Sequence, residues 1–256
     1  MIDFHIDDGV AQIVLNNPGK LNALNAQALR DLDAAYADAE KAGVRAVVLH
    51  GEGRAFCAGR DISGVDPAED DVSGYLDGLL APLLKRMAAF PAPTFAAAHG
   101  ACLGVGLGLL IATDVVYVAD TAKVGSPFAA LGATLDSGGH ALFYERLGAH
   151  RTFDLIYSGR LMTGEEAVRL GLFSRSMPAD EVGSATDAAA RAAASGPTAA
   201  FVASKRIIAA LRDDRAGLWD AMAAENAAQA ALRDSDDYRE GFAAFGEKRK
   251  PQFHGR

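Results

Sequence analysis

Two glycine-rich stretches hold the residue types through which this chain of 256 residues could do chemistry. The first, Gly51-Glu52-Gly53-Arg54-Ala55-Phe56-Cys57-Ala58-Gly59-Arg60-Asp61, follows the apolar run Val44 to Leu49. Glycines there let the main chain turn sharply and offer N–H groups to an anion or a carbonyl oxygen, although an ordinary strand-to-helix turn uses the same residues. The second, Gly100-Ala101-Cys102-Leu103-Gly104-Val105-Gly106-Leu107-Gly108, runs directly into Leu109-Leu110-Ile111-Ala112. Small residues ahead of a buried helix allow close packing, and first-turn amides lack intrahelical acceptors, so they suit a developing oxyanion. Phosphate binding is the rival reading, but no Gly-Lys-Ser/Thr follows, and a dinucleotide fingerprint also needs an early strand and a distal ribose-binding acid.

Such turns need a frame. Val10 to Leu15, Val44 to Leu49, Thr94 to Ala98 and Val115 to Ala119 read as strands. Leu29, Leu32, Tyr36 and Ala39 fall at helical spacing, with Arg30, Asp31, Asp33 and Asp38 left for the wet face. Strands interspersed with helices predict an α/β core. Asp, Gly and Pro crowd the segment between Ser63 and Ser73, which predicts a mobile loop able to cover a ligand. From Ala185 onward strand signals vanish and alanine-rich helical segments take over. The expected division is a core over residues 1–195 and a helical region over residues 196–256.

Composition narrows the function. Half the residues are apolar and 23% are charged, enough for a substantial core and a poor fit to disorder. Thirty-three acids against 25 bases give a net charge of −8, which argues against a dedicated nucleic-acid binder. Cys57 and Cys102 are the only cysteines and make no disulfide framework; free thiols in a reducing compartment, the cytoplasm, are expected. The N-terminal segment carries Asp3, Asp7 and Asp8 where an export signal would be basic. The apolar stretch from Ala96 to Ala112 is broken by His99 and four glycines, so no membrane span is expected there.

The ordered combination of motifs resembles the crotonase superfamily, the enoyl-CoA hydratase/isomerase family, over almost the whole chain. It starts at Asn16-Asn17-Pro18 and Leu21-Asn22-Ala23-Leu24-Asn25 and passes through Phe56 to Asp61 and Gly100 to Asp114. It ends in Glu240 to Phe245 and Glu247 to Phe253. The resemblance implies a spiral of ββα units followed by a C-terminal helical trimerisation region, assembled as a homotrimer or homohexamer. It implies an acyl-CoA thioester as substrate. It places the two oxyanion-hole N–H groups at Arg60 and Val105, both main-chain roles, so that the Arg60 guanidinium need not touch the oxyanion. Loss of a proton α to a thioester moves negative charge onto the carbonyl oxygen, and one donor aimed there is typically worth ~2.7–4 kcal/mol.

Family members that add water to a double bond carry two glutamates, and the matching positions here are Gly108 and Phe128. Without those carboxylates ordinary hydratase chemistry lacks its acid and base. Asp136, in Leu135-Asp136-Ser137-Gly138-Gly139, instead resembles the acid of ring-opened phenylacetyl-type enoyl-CoA isomerases. It is the expected proton shuttle, between walls of Leu103, Phe128 and Leu131; the alternative is a cap for a helix beginning near Ser137. His140 is a second candidate base and His99 a residue of the glycine turn, but lone histidines are more often structural. Asp61 and Asp114 match scaffold positions.

For the CoA handle the resemblance implies the Ala58 carbonyl at the adenine amino group, with Lys248 and Phe245 approaching from a neighbouring subunit. Lys248-Arg249-Lys250 would draw the phosphates, or form only a solvated basic tail. Lys20 and Arg54 are weaker candidates. Three functions follow: an enoyl-CoA isomerase, a hydratase with atypical acid and base, or a non-catalytic acyl-CoA-binding homologue. CoA belongs to the substrate, so no separate cofactor and no metal is expected.

Overall fold

A computed structural model describes residues 1–66 and 68–255. Pro67, inside the loop expected between Ser63 and Ser73, lies outside the described residues. Strands, numbered in chain order, are β1 (Ile2–Asp7), β2 (Val10–Leu15), β3 (Ala46–Gly51), β4 (Thr94–Ala98), β5 (Ala101–Leu103), β6 (Val115–Ala119), β7 (Lys123–Gly125), β8 (Met162–Thr163) and β9 (Arg175–Met177). They form a six-stranded sheet, β1-β2-β3-β4-β6-β9, and a three-stranded sheet, β5-β7-β8. Only β1 runs antiparallel in the large sheet. It joins β2 through Asp8 and Gly9, both at positive φ, as a two-residue hairpin requires.

The helices are α1 (Ala26–Lys41), α2 (Val72–Tyr75), α3 (Ala81–Ala88), α4 (Val105–Ile111), α5 (Gly139–Leu147), α6 (Ala149–Ser158), α7 (Gly164–Arg169), α8 (Val182–Ala194), α9 (Thr198–Asp213), α10 (Leu218–Leu232) and α11 (Asp236–Glu247). A π turn over Leu76–Leu80 links α2 to α3. Twice the chain sends one strand to the large sheet and the next to the small one before a helix: β4, β5, α4, then β6, β7 and on to α5. The expected strands at 10–15, 94–98 and 115–119 coincide with those found, whereas the third lies at 46–51 rather than 44–49. Its offset has a cause: the Val44 amide closes α1 on the Ala39 carbonyl, and pairing with β2 begins only at Ala46 opposite Val10.

Alternation along the strands fills both faces of the large sheet. Val47 and Leu49 of β3 join Ile13, Leu15, Leu29, Leu32 and Tyr36 in the main core. Ala46 and Val48 face the other way, with Val10 and Phe95, against Ala190 and Ala194 of α8. Arg45, just before β3, ties the C-terminal segment to this frame: its guanidinium donates to the Gly196 and Phe253 carbonyls and to Thr198 Oγ1. Buried Asp237 accepts the His254 and Gly255 amides and fixes the tail on α11. Among the described residues, no helix is long and apolar enough to cross a membrane.

Candidate active site

The two glycine turns meet. Cys57 bridges Cys102 and Arg60 bridges Leu24, so residues 57–60 lie as an irregular strand between the 21–24 segment and β5. Main-chain bonds lock it in place: Cys57 N–H to Ala101 O at 2.9 Å, Leu103 N–H to Cys57 O at 3.0 Å, and Leu24 N–H to Gly59 O at 2.9 Å. Gly59 has φ of +103°, and a Cβ there would stand 3.0 Å from the Leu103 carbonyl oxygen and 3.8 Å from the Val105 nitrogen. Only glycine lets the Arg60 turn approach the start of α4 this closely. Among the described residues neither the Arg60 nor the Val105 N–H donates to a protein acceptor. For Val105 the reason is its place as the first residue of α4.

Their side chains look elsewhere. Val105 is buried in the core. The Arg60 guanidinium forms a two-pronged ion pair with Asp70 and lies 4.3 Å from the centroid of the Tyr75 ring. It is a half-buried strut between the turn and the following loop rather than a surface charge. Tyr75 in turn donates its hydroxyl to the Leu24 carbonyl at 2.9 Å. Burial pushes the Tyr75 phenol up, with Cys57 adding, Arg60 opposing, and Asp136 and Asp61 adding further. A cavity of about 450 Å³ opens beside Arg60, between Asn25, Asp70, Tyr75 and Leu79. The Cys57 thiol is pushed up to about 12 by burial and so stays protonated at neutral pH.

Asn22, fully buried at a φ of +57°, went unnoticed in the motif that contains it. It donates to the Glu52 and Ala55 carbonyls and accepts the Asn17 amide, which holds the first glycine turn from behind. Its position after the Pro18-Gly19 turn was the available signal, since Asn tolerates left-handed backbone. Nothing in the sequence pointed to Tyr75.

The carboxylate side is built from residues 127–140. Phe128 starts a short 3-10 turn, and its ring comes within 3.1 Å of where a Cβ on Gly104 would be. It forms an apolar wall at the start of α4. Leu103 is half-buried, whereas Leu131 is largely exposed in the single chain. Asp136 is half-buried and accepts a 2.7 Å hydrogen bond from Ser137 Oγ. Ser137 sits against Gly108, one helical turn along α4 and about 4.5 Å further on its axis than Val105.

The capping alternative for Asp136 is corrected by this geometry. Helix α5 begins at Gly139 with Gly138 as its cap and no side-chain cap bond, so the carboxylate is not spent on helix amides. His140 is exposed and pairs with Thr134 Oγ1 at 3.4 Å. His99 bonds the Gly53 carbonyl and holds the turn. Asp114 accepts the Thr94 amide and the Lys205 ammonium, a scaffold contact.

The residues expected at the CoA handle are dispersed. Ala58 is half-buried, its N–H held by the Leu21 carbonyl and its own carbonyl oxygen accepting no bond among the described residues. Lys20 is engaged by Asp61 and Ser63, and that contact, with Ser63, holds the Asp61 carboxyl down at about 2. Arg54 is exposed. Lys248 ends α11 in a left-handed conformation, with Phe245 protruding nearby at 87% exposure. Arg249 between the two lysines is bound to Glu240 and Glu247. Among the described residues, no group of three or more His, Cys, Asp or Glu could hold a metal ion.

Comparison with known proteins gives this arrangement its class. The enoyl-CoA hydratase/isomerase family matches residues 5–256. A Rhodobacter capsulatus protein named a probable enoyl-CoA hydratase is 36% identical, with 100% of this chain and 98% of the relative covered. The 1,2-epoxyphenylacetyl-CoA isomerase of Escherichia coli is 31% identical, over 98% of this chain and 97% of its own length. The crystal structure of an enoyl-CoA hydratase from Bacillus anthracis superposes with a TM-score of 0.90 at 27% identity, covering 100% of this chain and 99% of the other. The chain belongs to the enoyl-CoA hydratase/isomerase family and has the crotonase fold.

Proposed function

We propose that this enzyme is an enoyl-CoA isomerase that moves a double bond along the acyl chain of a CoA thioester. The observation that carries the reading is the set of residues around α4: Gly108 and Phe128 carry no carboxylate at the positions the resemblance matches to the hydratases' glutamates, while Asp136 lies one residue from the contact with Gly108. The thioester oxygen docks between the Arg60 and Val105 amides, whose N–H groups have no protein acceptor among the described residues. Asp136 takes a proton from C2 of a 3-enoyl thioester. The electron pair spreads into a dienolate whose oxygen the two amides stabilise, and the same carboxyl returns the proton to C4, leaving the 2-enoyl product. Phe128 gives this path an apolar wall in place of a second carboxyl.

The CoA handle is assigned to the Ala58 carbonyl, with Lys248 and Phe245 contributed by a neighbouring copy in a homotrimer or homohexamer. The apolar surface of the C-terminal helices supports that assembly: Leu218, Trp219, Phe242 and Phe245 are all exposed in the single chain. A cytoplasmic site of action fits the two free cysteines.

The test is incubation with 3-enoyl- and 2-enoyl-CoA esters in heavy water. Interconversion with no 3-hydroxyacyl-CoA is the expected result, with deuterium entering the acyl chain in the fraction of turnovers in which the Asp136 carboxyl exchanges with solvent before returning its proton. Formation of 3-hydroxyacyl-CoA as the main product from the 2-enoyl ester would make the enzyme a hydratase. CoA-ester binding with neither conversion nor exchange would make it a binding homologue.

A further inference from the structure

Ser137 is a non-glycine residue at φ of +55°, the left-handed region that costs an ordinary side chain conformational energy. A main-chain turn, closed by the Gly139 N–H on the Asp136 carbonyl at 2.9 Å, carries Ser137 and Gly138 at positive φ just ahead of α5. Within that turn two contacts engage the Ser137 side chain. Its hydroxyl donates to Asp136 Oδ1 at 2.7 Å, and its Cβ occupies the space beside Gly108, where a Cβ on residue 108 would come within 2.5 Å of it. The second contact is anchored to main chain on both sides, with the Ser137 carbonyl oxygen only 3.1 Å from the same point, so neither partner can swing clear.

We propose that Ser137 is a positioning residue that, wedged against Gly108 of α4, holds the Asp136 carboxylate at a fixed height above the Val105 amide. The proposal rests on the isomerase reading and goes beyond it. Helix α4 is rigid and buried, and its first residue supplies one oxyanion donor, so anything seated one turn along it is indexed to that donor. Asp136 itself opens the short turn into α5, its carbonyl accepting the Gly139 N–H, and the Ser137 hydroxyl is the side-chain donor to its carboxylate. A shuttle that must reach two carbons needs its oxygens aimed, and a misplacement of ~1 Å can lower a rate ~100-fold. The same wedge closes position 108 to any side chain, so a glutamate there would have to displace the turn that carries Asp136.

The test compares Ser137→Ala, Ser137→Gly and Asp136→Asn in the full-length enzyme, with kcat, KM and thermal midpoint measured together. Ser137→Ala and Ser137→Gly are both expected to lower kcat by between about tenfold and a hundredfold while KM moves little. Ser137→Gly is expected to do so without lowering the thermal midpoint, because glycine accepts the positive φ. A residue that only supported the fold would not combine lost turnover with retained stability. Gly108→Ala is expected to lower both the midpoint and kcat, and adding Ser137→Gly, which removes the 2.5 Å clash but not the carbonyl oxygen at 3.1 Å, to restore part of the midpoint but not kcat. Wild-type kcat in both Ser137 variants, with Asp136→Asn inactive, overturns the positioning role and leaves the isomerase reading standing. A loss expressed in KM alone also overturns it. Full activity in Asp136→Asn removes the isomerase reading itself.

Discussion

The proposed oxyanion half of the site is main chain stitched between neighbours on both sides, Leu24 and Gly59 to one flank, Cys57, Ala101 and Leu103 to the other. The carboxylate half hangs on residues 127–140, where a short 3-10 turn, a left-handed serine and a glycine-capped helix carry one acid held by one hydroxyl. In the first half the bonds belong to the backbone, so the side chains of residues 60 and 105 are free to differ; here they are an arginine tied to Asp70 and a buried valine. In the second half the proposed reaction depends on a single side chain, Asp136. On the isomerase reading, enolate stabilisation stays with the backbone and the choice of reaction falls to a segment that lies outside the sheet.

The sharpest way to break that contrast is Asp136→Asn. Removing the acid while preserving shape is expected to lower kcat/KM by ~10³-fold, within the range for a lost general acid/base, with CoA-ester affinity retained. Turnover equal to wild type would transfer the chemistry to another group. The main-chain half is tested next by Gly106→Ala, whose Cβ would meet the Cys57 carbonyl oxygen at 2.5 Å and the Cys57 Cβ at 2.8 Å. The methyl must push the Cys57–Arg60 strand away from α4, so a loss approaching the ~10²–10³-fold of one missing oxyanion donor is expected. A lowered thermal midpoint should accompany it. Activity at the wild-type level would mean that the two turns need not be this close.

The difference between the halves also governed what could be read in advance. The meeting of the two glycine turns was legible because the close approach of two backbones demands glycine, and glycine is visible in a sequence; it was the family resemblance that singled out residues 60 and 105 within them. The strands at 94–98 and 115–119 were legible for a similar reason, since continuous apolar runs mark buried parallel strands. Strand β1 escaped because Asp3, His5 and Asp7 alternate on an edge that faces water. Strands β5, β7 and β8 span three, three and two residues, too few for any periodicity to register. Ser137 escaped for a subtler reason: serine does not announce a positive φ, and its partner Gly108 is distant in sequence. The capping role offered for Asp136 failed at the same spot, because Gly138 takes the helix start that an Asp-Ser pair normally marks.

Arg60→Ala sharpens the contrast from the other side. It removes the ion pair with Asp70 and the stacking on Tyr75 but keeps the residue's N–H. The expected cost is ~1 kcal/mol of stability from a partly exposed pair and a cation–π contact. The fall in kcat should be far smaller than the ~10²-fold that loss of an oxyanion donor brings. Equal losses in Arg60→Ala and Gly106→Ala would show that the guanidinium itself works on the thioester.

The smallest effect is expected one residue further, at Asp61. Lys20 and Ser63 hold its carboxyl at about 2, below the ordinary ~3.9. A depressed value in the folded state means that the charged form favours folding. The contribution is therefore complete above ~3.9 and disappears as the pH falls toward about 2. Asp61→Asn should flatten that acid limb of a stability–pH curve while leaving its shape near neutrality unchanged, as denaturant titrations at successive pH values would measure. Since the Asp61 amide is bonded to Leu24 through main chain, the oxyanion turn should survive the substitution at neutral pH. An acid limb as steep as that of wild type would assign the loss to other carboxylates and leave the Lys20 contact without energetic weight.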